Sequence, residues 1–168
     1  MHDNTIPMTE KVLVLDMDGT IADLYGVPDW LPKLQAEDPS PYAEAAPLWD
    51  TEKLASTLEA MSEDGWRVVV ISWLSKAASP KYAMAIRKAK RRWLTEQQLP
   101  WVEVHFVSYG TPKSIVVRNL PQGSWLVDDD EKVRAEWETN KGRTIDPTAT
   151  TDLPELLKQK FLAGNPTD

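Results

Sequence analysis

Uninterrupted apolar runs recur along the chain, and each of the first two ends in side chains that carry oxygen. Residues 12–15 are all Val or Leu, and Asp16 and Asp18 follow them. Residues 67–71 form a second, largely apolar run, which Ser72 ends. A run without polar alternation is typical of a parallel strand that is covered on both faces. The pattern therefore predicts two central parallel strands.

Further strands are predicted in the second half of the chain. Residues 101–107 predict a third strand, and residues 124–127 predict a fourth, which ends in the acidic run 128–131. Residues 143–145 predict a last edge strand, which Pro147 stops. Ligands of open α/β sheets bind beyond the carboxyl ends of the strands. We therefore expect the oxygen-bearing strand ends to lie near one another.

Helical periodicity separates the predicted strands. The first helix should start at Asp50, a favourable N-cap, and end at Gly65. A longer helix is predicted over residues 79–98, followed by a turn at 109–114 that leads into another helix. The two long helices carry these apolar stripes: Leu54, Leu58 and Met61 in the first, and Tyr82, Ile86, Ala89 and Trp93 in the second. The strand–helix–strand order predicts βαβ units and a parallel sheet.

The segment 21–49 breaks this regular alternation. It contains five prolines and predicts only short helical turns at 29–36 and 42–46. We expect a small cap or flap, because the segment is too short and broken to form its own core. Trp30 and Trp49 could stack on a base, but we favour packing of the cap onto the core.

The ends of the chain complete the predicted architecture. Residues 1–10 are polar and predict a frayed leader, and a final helix is predicted from Asp152 through Leu162, ended by Gly164. We predict one domain over residues 1–168. Its fold class is α/β, a three-layer α/β/α sandwich with a central parallel sheet and a small cap insert.

Composition excludes several classes of protein. The net charge of −7 argues against a general affinity for nucleic acid or anionic membranes. The chain has no cysteine, which excludes disulfides and cysteine-based metal or redox sites. No segment has the length of a transmembrane helix or the pattern of a signal peptide. We expect a cytoplasmic protein that has no membrane association and no obligate protein partner.

The sequence Asp16-Met17-Asp18-Gly19-Thr20 carries the candidate chemistry. Residues two apart point to the same side of an extended backbone, so both carboxylates can face one small volume. Their mutual repulsion favours a shared proton or a bound cation such as Mg²⁺. Gly19 lets the backbone approach a phosphate closely, and Thr20 adds a hydroxyl donor. The alternative is an ordinary solvated Asp-Gly turn.

This motif resembles the first motif of the haloacid dehalogenase (HAD) superfamily of hydrolases. Later features follow in the order of that family: a strand ending at Ser72, then Lys113, then a strand followed by Asp128 and Asp129. The resemblance implies a Mg²⁺-dependent phosphatase of small phosphorylated substrates. It also implies that the segment 21–49 covers the active site.

The resemblance assigns a role to each matching residue. Asp16 would be the nucleophile and would form an aspartyl phosphate, while Asp18 would be the general acid and base. Asp16, Asp129 and the backbone carbonyl of Asp18 would bind Mg²⁺. The phosphate would be bound by Gly19, Thr20, Ser72 and Lys113.

Two of these assignments have competitors in the sequence. Asp128 competes with Asp129 as metal ligand, and the resemblance favours Asp129, with Asp128 orienting it. Asp130 fits the N-cap of the next helix. Lys113 is preferred to Lys76 because it matches the order of the motifs.

The substrate is less well defined than the reaction. The pair Asp128-Asp129 and its surroundings are similar to 5′(3′)-deoxyribonucleotidases and to the phosphatase domain of polynucleotide kinase-phosphatases. The chain departs from both by having Asp130 where an Arg often follows. We favour a nucleotide or another small phosphorylated metabolite.

Two alternative functions compete with a phosphatase of small metabolites. A phosphatase of nucleic-acid ends could use the basic run between Lys76 and Arg92, which holds seven Lys or Arg and no acid. We favour a solvated helix face for this run. A module of the same fold could instead bind a phosphorylated ligand without catalysis, although the intact set of motif residues argues against it.

Overall fold

A five-stranded parallel sheet forms the centre of the protein in the computed structural model, which describes residues 10–163. Most of the predicted leader and the predicted helix end at Gly164 lie outside these residues. In chain order the strands are β1 (Lys11–Leu15), β2 (Ala22–Asp23), β3 (Ala46–Pro47), β4 (Trp66–Trp73), β5 (Glu103–Val107), β6 (Trp125–Val127) and β7 (Arg143–Ile145). The central sheet has the order β5-β4-β1-β6-β7, and all neighbouring strands are parallel.

The strands agree with the apolar runs but differ at their ends. Strand β4 continues to Trp73, so the prediction that it ends at Ser72 is wrong. The cause is its neighbour β5, because Ser72 and Trp73 pair with Phe106 and Val107 in the parallel register. Strand β5 starts two residues later than predicted, because residues 100–101 form a turn.

The described part of the chain contains six α-helices, of which the first two lie in the segment 21–49. They are α1 (Trp30–Gln35), α2 (Ser40–Glu44), α3 (Thr51–Glu63), α4 (Pro80–Glu96), α5 (Glu131–Thr139) and α6 (Leu153–Leu157), the last continued by a π-helical segment, Lys158–Leu162. None of them is long and apolar enough to cross a membrane.

Side-chain caps start the helices where the sequence predicts them. Asp50 accepts a hydrogen bond from the backbone N–H of Lys53 at 2.9 Å, and Asp130 caps α5 through the N–H of Lys132 at 2.8 Å. The helix predicted after residue 114 is wrong, since only a 3₁₀ turn, Lys113–Ile115, forms there. An α-helix could not in any case continue through Asn119, because its backbone is left-handed, at a φ of 57°.

Alternating residues of β1 reach opposite faces of the sheet and produce three layers. Leu13 and Leu15 pack with α3, α4 and α6, whereas Val12 and Val14 pack with α5. All four side chains are buried. The uninterrupted apolar run is therefore explained by helices on both faces.

The segment 21–49, which we predict to be a cap, is hydrogen-bonded to α4. Strands β2 and β3 pair antiparallel at its base. The indole N–H of Trp93 on α4 donates to the carbonyl of Ala45 at 2.7 Å, and the Tyr82 hydroxyl donates to the carbonyl of Asp38 at 3.0 Å. Trp49 packs against the core and donates to the carbonyl of Thr20 at 2.7 Å.

Truncation of a β1 side chain tests the buried position of this strand. Leu13 has no exposed surface, whereas Met84 on α4 is 70% exposed. We expect Leu13→Ala to lower the free energy of unfolding by about 2–5 kcal/mol, because it removes buried apolar surface and leaves a cavity. Met84→Ala is the matched control and should change it by about 0.5 kcal/mol or less. Urea unfolding followed by circular dichroism measures both, and equal effects would contradict the buried position of β1.

Candidate active site

The carboxyl ends of β1 and β6 meet at one edge of the sheet. Leu15 pairs with Val127, and the N–H of Asp16 donates to the Val127 carbonyl at 3.0 Å. Asp16 and Asp128 are therefore the first residues beyond two neighbouring strands. The predicted meeting of oxygen-bearing strand ends is confirmed for this pair.

Lys113 joins the ends of these two strands. Its ammonium donates to Asp16 Oδ1 at 2.8 Å and to Asp128 Oδ2 at 2.6 Å. Burial works against the charged form of Lys113, but the carboxylates of Asp16 and Asp128 outweigh it and raise the pKa of the lysine. The side chain is thus held as a cation beside Asp16. Lys76, its competitor in the sequence, lines the same cavity without contacting Asp16.

Thr20 connects the loop after β1 to the loop after β6. Its hydroxyl lies 3.2 Å from Asp16 Oδ2 and 3.2 Å from Asp129 Oδ1, and it accepts from the N–H of Asp129 at 3.2 Å. Gly19 has a φ of 79°, and a Cβ at this position would lie 2.3 Å from Asp129 Oδ2. Position 19 therefore requires a glycine for two reasons: its φ is positive, and Asp129 leaves no room for a Cβ.

Three carboxylates form a cluster that fits a divalent cation. Asp16, Asp128 and Asp129 each offer an oxygen, and these atoms all lie within 4.8 Å of one another. Burial and the charge of Asp16 raise the pKa of Asp128 to about 6 and that of Asp129 to about 7. Hard cations such as Mg²⁺ bind carboxylate oxygens and relieve this repulsion. The donor set therefore fits the metal that the sequence predicts.

Asp128 and Asp129 differ in the hydrogen bonds that their carboxylate oxygens already accept. Asp128 accepts from Lys113 with one oxygen and from the N–H of Asp130 at 2.9 Å with the other. Asp129 Oδ2 faces Gly19, and its Oδ1 accepts a hydrogen bond from the Thr20 hydroxyl at 3.2 Å. This difference favours Asp129 as the metal ligand, with Asp128 orienting Lys113.

Asp18 is paired with a lysine that the sequence did not single out. The ammonium of Lys90 on α4 donates to Asp18 Oδ2 at 2.9 Å, to Ser72 Oγ at 2.7 Å and to the Trp73 carbonyl at 2.8 Å. Burial raises the pKa of Asp18, and the charge of Lys90 offsets only part of this effect. Asp18 thus favours its protonated form more than an ordinary aspartate does.

The prediction that the basic run forms a solvated helix face is wrong for Lys90, which is fully buried. The available signal was helical spacing. Lys90 follows Ile86 by one turn and precedes Trp93 by nearly one turn, and both neighbours belong to the buried stripe of α4. A lysine on an apolar stripe needs buried acceptors, and Asp18 and Ser72 are among them.

The site opens into a cavity of about 670 Å³. Asp16, Asp18, Lys113 and Asp129 line it, whereas Ser72 is fully buried and lies behind them. Aromatic side chains from the cap and from the loops above the sheet complete the walls: Tyr25, Trp30, Tyr42, Trp73 and Tyr109. The structure thus brings the predicted residues together, while their chemical roles stay predictions.

Comparison with known proteins identifies the fold. No protein-family model and no curated protein sequence matches the chain. Among solved structures, D,D-heptose 1,7-bisphosphate phosphatase from Burkholderia thailandensis superposes with a TM-score of 0.53. The chain shares the fold of this phosphatase. The match covers 92% of this chain and 99% of the phosphatase at 15% sequence identity, so it defines architecture alone.

Magnesium should stabilise the protein in a manner that depends on pH. A carboxyl group with a raised pKa binds its proton more tightly in the folded state, so the metal-free protein loses this stability as the pH rises from about 4 through about 7. Mg²⁺ requires the deprotonated groups. We expect added Mg²⁺ to raise the melting temperature more at pH 7.5 than at pH 5, measured by differential scanning fluorimetry. An equal shift at both pH values would contradict the metal site.

A glycine substitution tests the close approach between Gly19 and Asp129. We expect Gly19→Ala to weaken Mg²⁺ binding by about 10- to 100-fold, because the new Cβ displaces Asp129, the predicted metal ligand. Gly65→Ala is a matched control, since Gly65 also has a positive φ, 92°, but open space around its Cβ position. It should lose stability and keep its Mg²⁺ affinity in isothermal titration calorimetry. Equal Mg²⁺ affinities of the two variants would refute the steric argument.

Proposed function

We propose that the protein is a Mg²⁺-dependent phosphatase that hydrolyses a phosphomonoester through an aspartyl phosphate on Asp16. The observation that carries this proposal is the joint placement of Asp16, Asp18, Lys113 and Asp129 along one cavity. A nucleophile, a proton donor, a cation and a metal ligand are the groups that phosphoryl transfer to a carboxylate requires.

The contacts of Asp16 support its role as nucleophile. Lys113 contacts one of its oxygens and Thr20 contacts the other, so the carboxylate is held in a fixed orientation. Attack of a carboxylate oxygen on phosphorus forms the acyl phosphate and breaks the bond to the leaving oxygen. The ammonium of Lys113 would then face the negative charge that gathers on the phosphoryl group.

The environment of Asp18 supports its role as general acid and base. Asp18 lines the cavity, and burial raises its pKa, which favours the protonated form needed to protonate a leaving oxygen. Once ionised, the same carboxylate would take a proton from the water that hydrolyses the aspartyl phosphate. The backbone near Gly19 and Thr20 would bind phosphate oxygens, whereas the buried Ser72 hydroxyl contacts Lys90 and does not line the cavity.

The carboxylates of Asp16 and Asp129, together with the backbone carbonyl of Asp18, would hold the Mg²⁺. When bound, the ion neutralises charge on the phosphate and on the carboxylates around it. The clustering of acidic oxygens and the raised pKa of Asp129 support this assignment.

A small phosphorylated metabolite is the proposed substrate, and a nucleotide is the first candidate. The aromatic walls of the cavity would suit a planar base, and Lys76 adds a positive charge at its rim. The assignment to the deoxyribonucleotidase or polynucleotide phosphatase branch stays a prediction. The nucleic-acid alternative loses one of the seven cations of the basic run, because Lys90 is buried.

Removal of the nucleophile tests the proposal. We expect wild-type protein to release phosphate from an aryl phosphate with Mg²⁺ present, and Asp16→Asn to lower kcat by more than about a thousandfold. Asp29→Asn, which changes an exposed cap carboxylate, is the control and should retain wild-type activity. Asp16→Asn as active as wild type would exclude Asp16 as the nucleophile.

A substrate screen tests the choice of metabolite. Nucleotides, sugar phosphates including a heptose bisphosphate, and 5′-phosphorylated oligonucleotides should be compared by kcat/KM with and without Mg²⁺. We expect nucleotides to be the best substrates. Preference for a sugar phosphate would overturn the nucleotide assignment, and preference for oligonucleotides would favour the nucleic-acid alternative.

A further inference from the structure

We infer that Lys90 is a positioning residue of this site, which holds the Asp18 carboxylate at the cavity wall and fixes the Ser72 hydroxyl as a hydrogen-bond donor. This inference rests on the proposed function. It adds a residue from the middle of α4, outside the motif residues described above.

The burial of Lys90 is the first observation behind the inference. Its side chain is only 1% exposed, and a buried ammonium is costly unless its hydrogens are bonded. An ammonium has three donors and no acceptor. All three donors are used, on Asp18, Ser72 and the Trp73 carbonyl. The three hydrogen bonds therefore hold the ammonium of Lys90 in one position, and they hold the side chains of Asp18 and Ser72 in theirs.

Asp18 receives its orientation from Lys90. The Asp18 side chain is 19% exposed, with one side towards the cavity. Lys90 is its hydrogen-bonding side-chain partner among residues 10–163, at 2.9 Å from Oδ2. This contact leaves Oδ1 as the oxygen available to a ligand in the cavity. Removal of Lys90 would free the carboxylate to rotate and would leave it without a donor.

Lys90 also restricts where the hydrogen of the Ser72 hydroxyl can point. Because Lys90 can only donate, Ser72 Oγ must accept in their 2.7 Å hydrogen bond. The hydrogen of the Ser72 hydroxyl then has to point elsewhere, and the described residues offer it no acceptor. Lys90 therefore fixes the orientation of the Ser72 hydroxyl, with its hydrogen directed away from the ammonium.

The cap covers Lys90 on its remaining side. The ammonium lies 4.7 Å from the centre of the Tyr42 ring, which α2 contributes. The Tyr42 hydroxyl is in turn hydrogen-bonded to Ser75 in the loop after β4. Cap, helix and sheet edge thus enclose the ammonium and keep it away from water, which strengthens its contacts.

Kinetics of Lys90→Met test the inference, because methionine fills similar space without the charge. We expect kcat to fall about 10- to 100-fold with a change in KM below about threefold. The loss should be larger for an alkyl phosphate than for p-nitrophenyl phosphate, since only the poor leaving group needs a well-placed proton donor. Lys88→Met, which changes an exposed lysine of the same helix, is the control and should match wild type.

A double-mutant cycle separates positioning from a general loss of structure. In a Ser72→Ala background, Lys90→Met should lower kcat by a clearly smaller factor than it does in wild type, because one of the two side chains that Lys90 positions is already absent. Equal losses in both backgrounds together with equal losses for both leaving groups would overturn the inference. So would a Lys90→Met variant with the kinetics of Lys88→Met.

A measurement on folded wild-type protein covers the case in which Lys90→Met does not fold. The side-chain ammonium of a buried, fully bonded lysine should exchange its hydrogens slowly and give a resolved ¹⁵N signal. We expect this signal to shift in Asp18→Asn and in Ser72→Ala and to stay unchanged in Lys88→Met. An unchanged signal in the first two variants would overturn the inference. Absence of phosphatase activity in wild type would refute the proposed function alone, because the NMR contacts do not depend on turnover.

Discussion

The neutralisation of buried carboxylates at one sheet edge is the constraint on which the rest of the structure depends. Asp16, Asp18 and Asp128 gather where β1 and β6 end, and like charges at such distances repel strongly in a protein interior. Two buried lysines offset the repulsion. Lys113 contacts Asp16 and Asp128, and Lys90 contacts Asp18. Asp18 and Asp128 still have raised pKa values, and Asp129, which contacts neither lysine, is the carboxylate that we propose as a metal ligand.

The fold supplies these partners from distant parts of the chain. The central strand β1 brings its acids to the edge, a 3₁₀ turn before β6 supplies Lys113, and the middle of α4 supplies Lys90. The same helix holds the cap through Trp93. The helix that holds the cap therefore also supplies one of the two lysines that neutralise the carboxylates. We place the chemistry in the cavity between the cap and the edge of the sheet.

The sequence predicted the parts of this arrangement that follow from local pattern. The apolar runs located the central strands, and the motif order around Asp16 pointed to one edge of a parallel sheet. Lys90 was missed because its neighbours Lys88, Arg91 and Arg92 make the whole run look solvated. Its place on the apolar stripe of α4 was the one signal in the sequence, and the packing of α4 against the sheet and the cap buries it. Ser72 was placed after its strand, since the pairing with β5 that extends β4 is a long-range contact.

Chemical trapping of the proposed intermediate tests the account most directly. Wild-type protein turning over a phosphomonoester with Mg²⁺ should be quenched in acid and treated with borohydride, which reduces an aspartyl phosphate to homoserine. Peptide mass spectrometry should then find homoserine at position 16 and at no other aspartate. Homoserine at another position, or its absence from protein that is releasing phosphate, would contradict the assignment of Asp16 and the mechanism built on it.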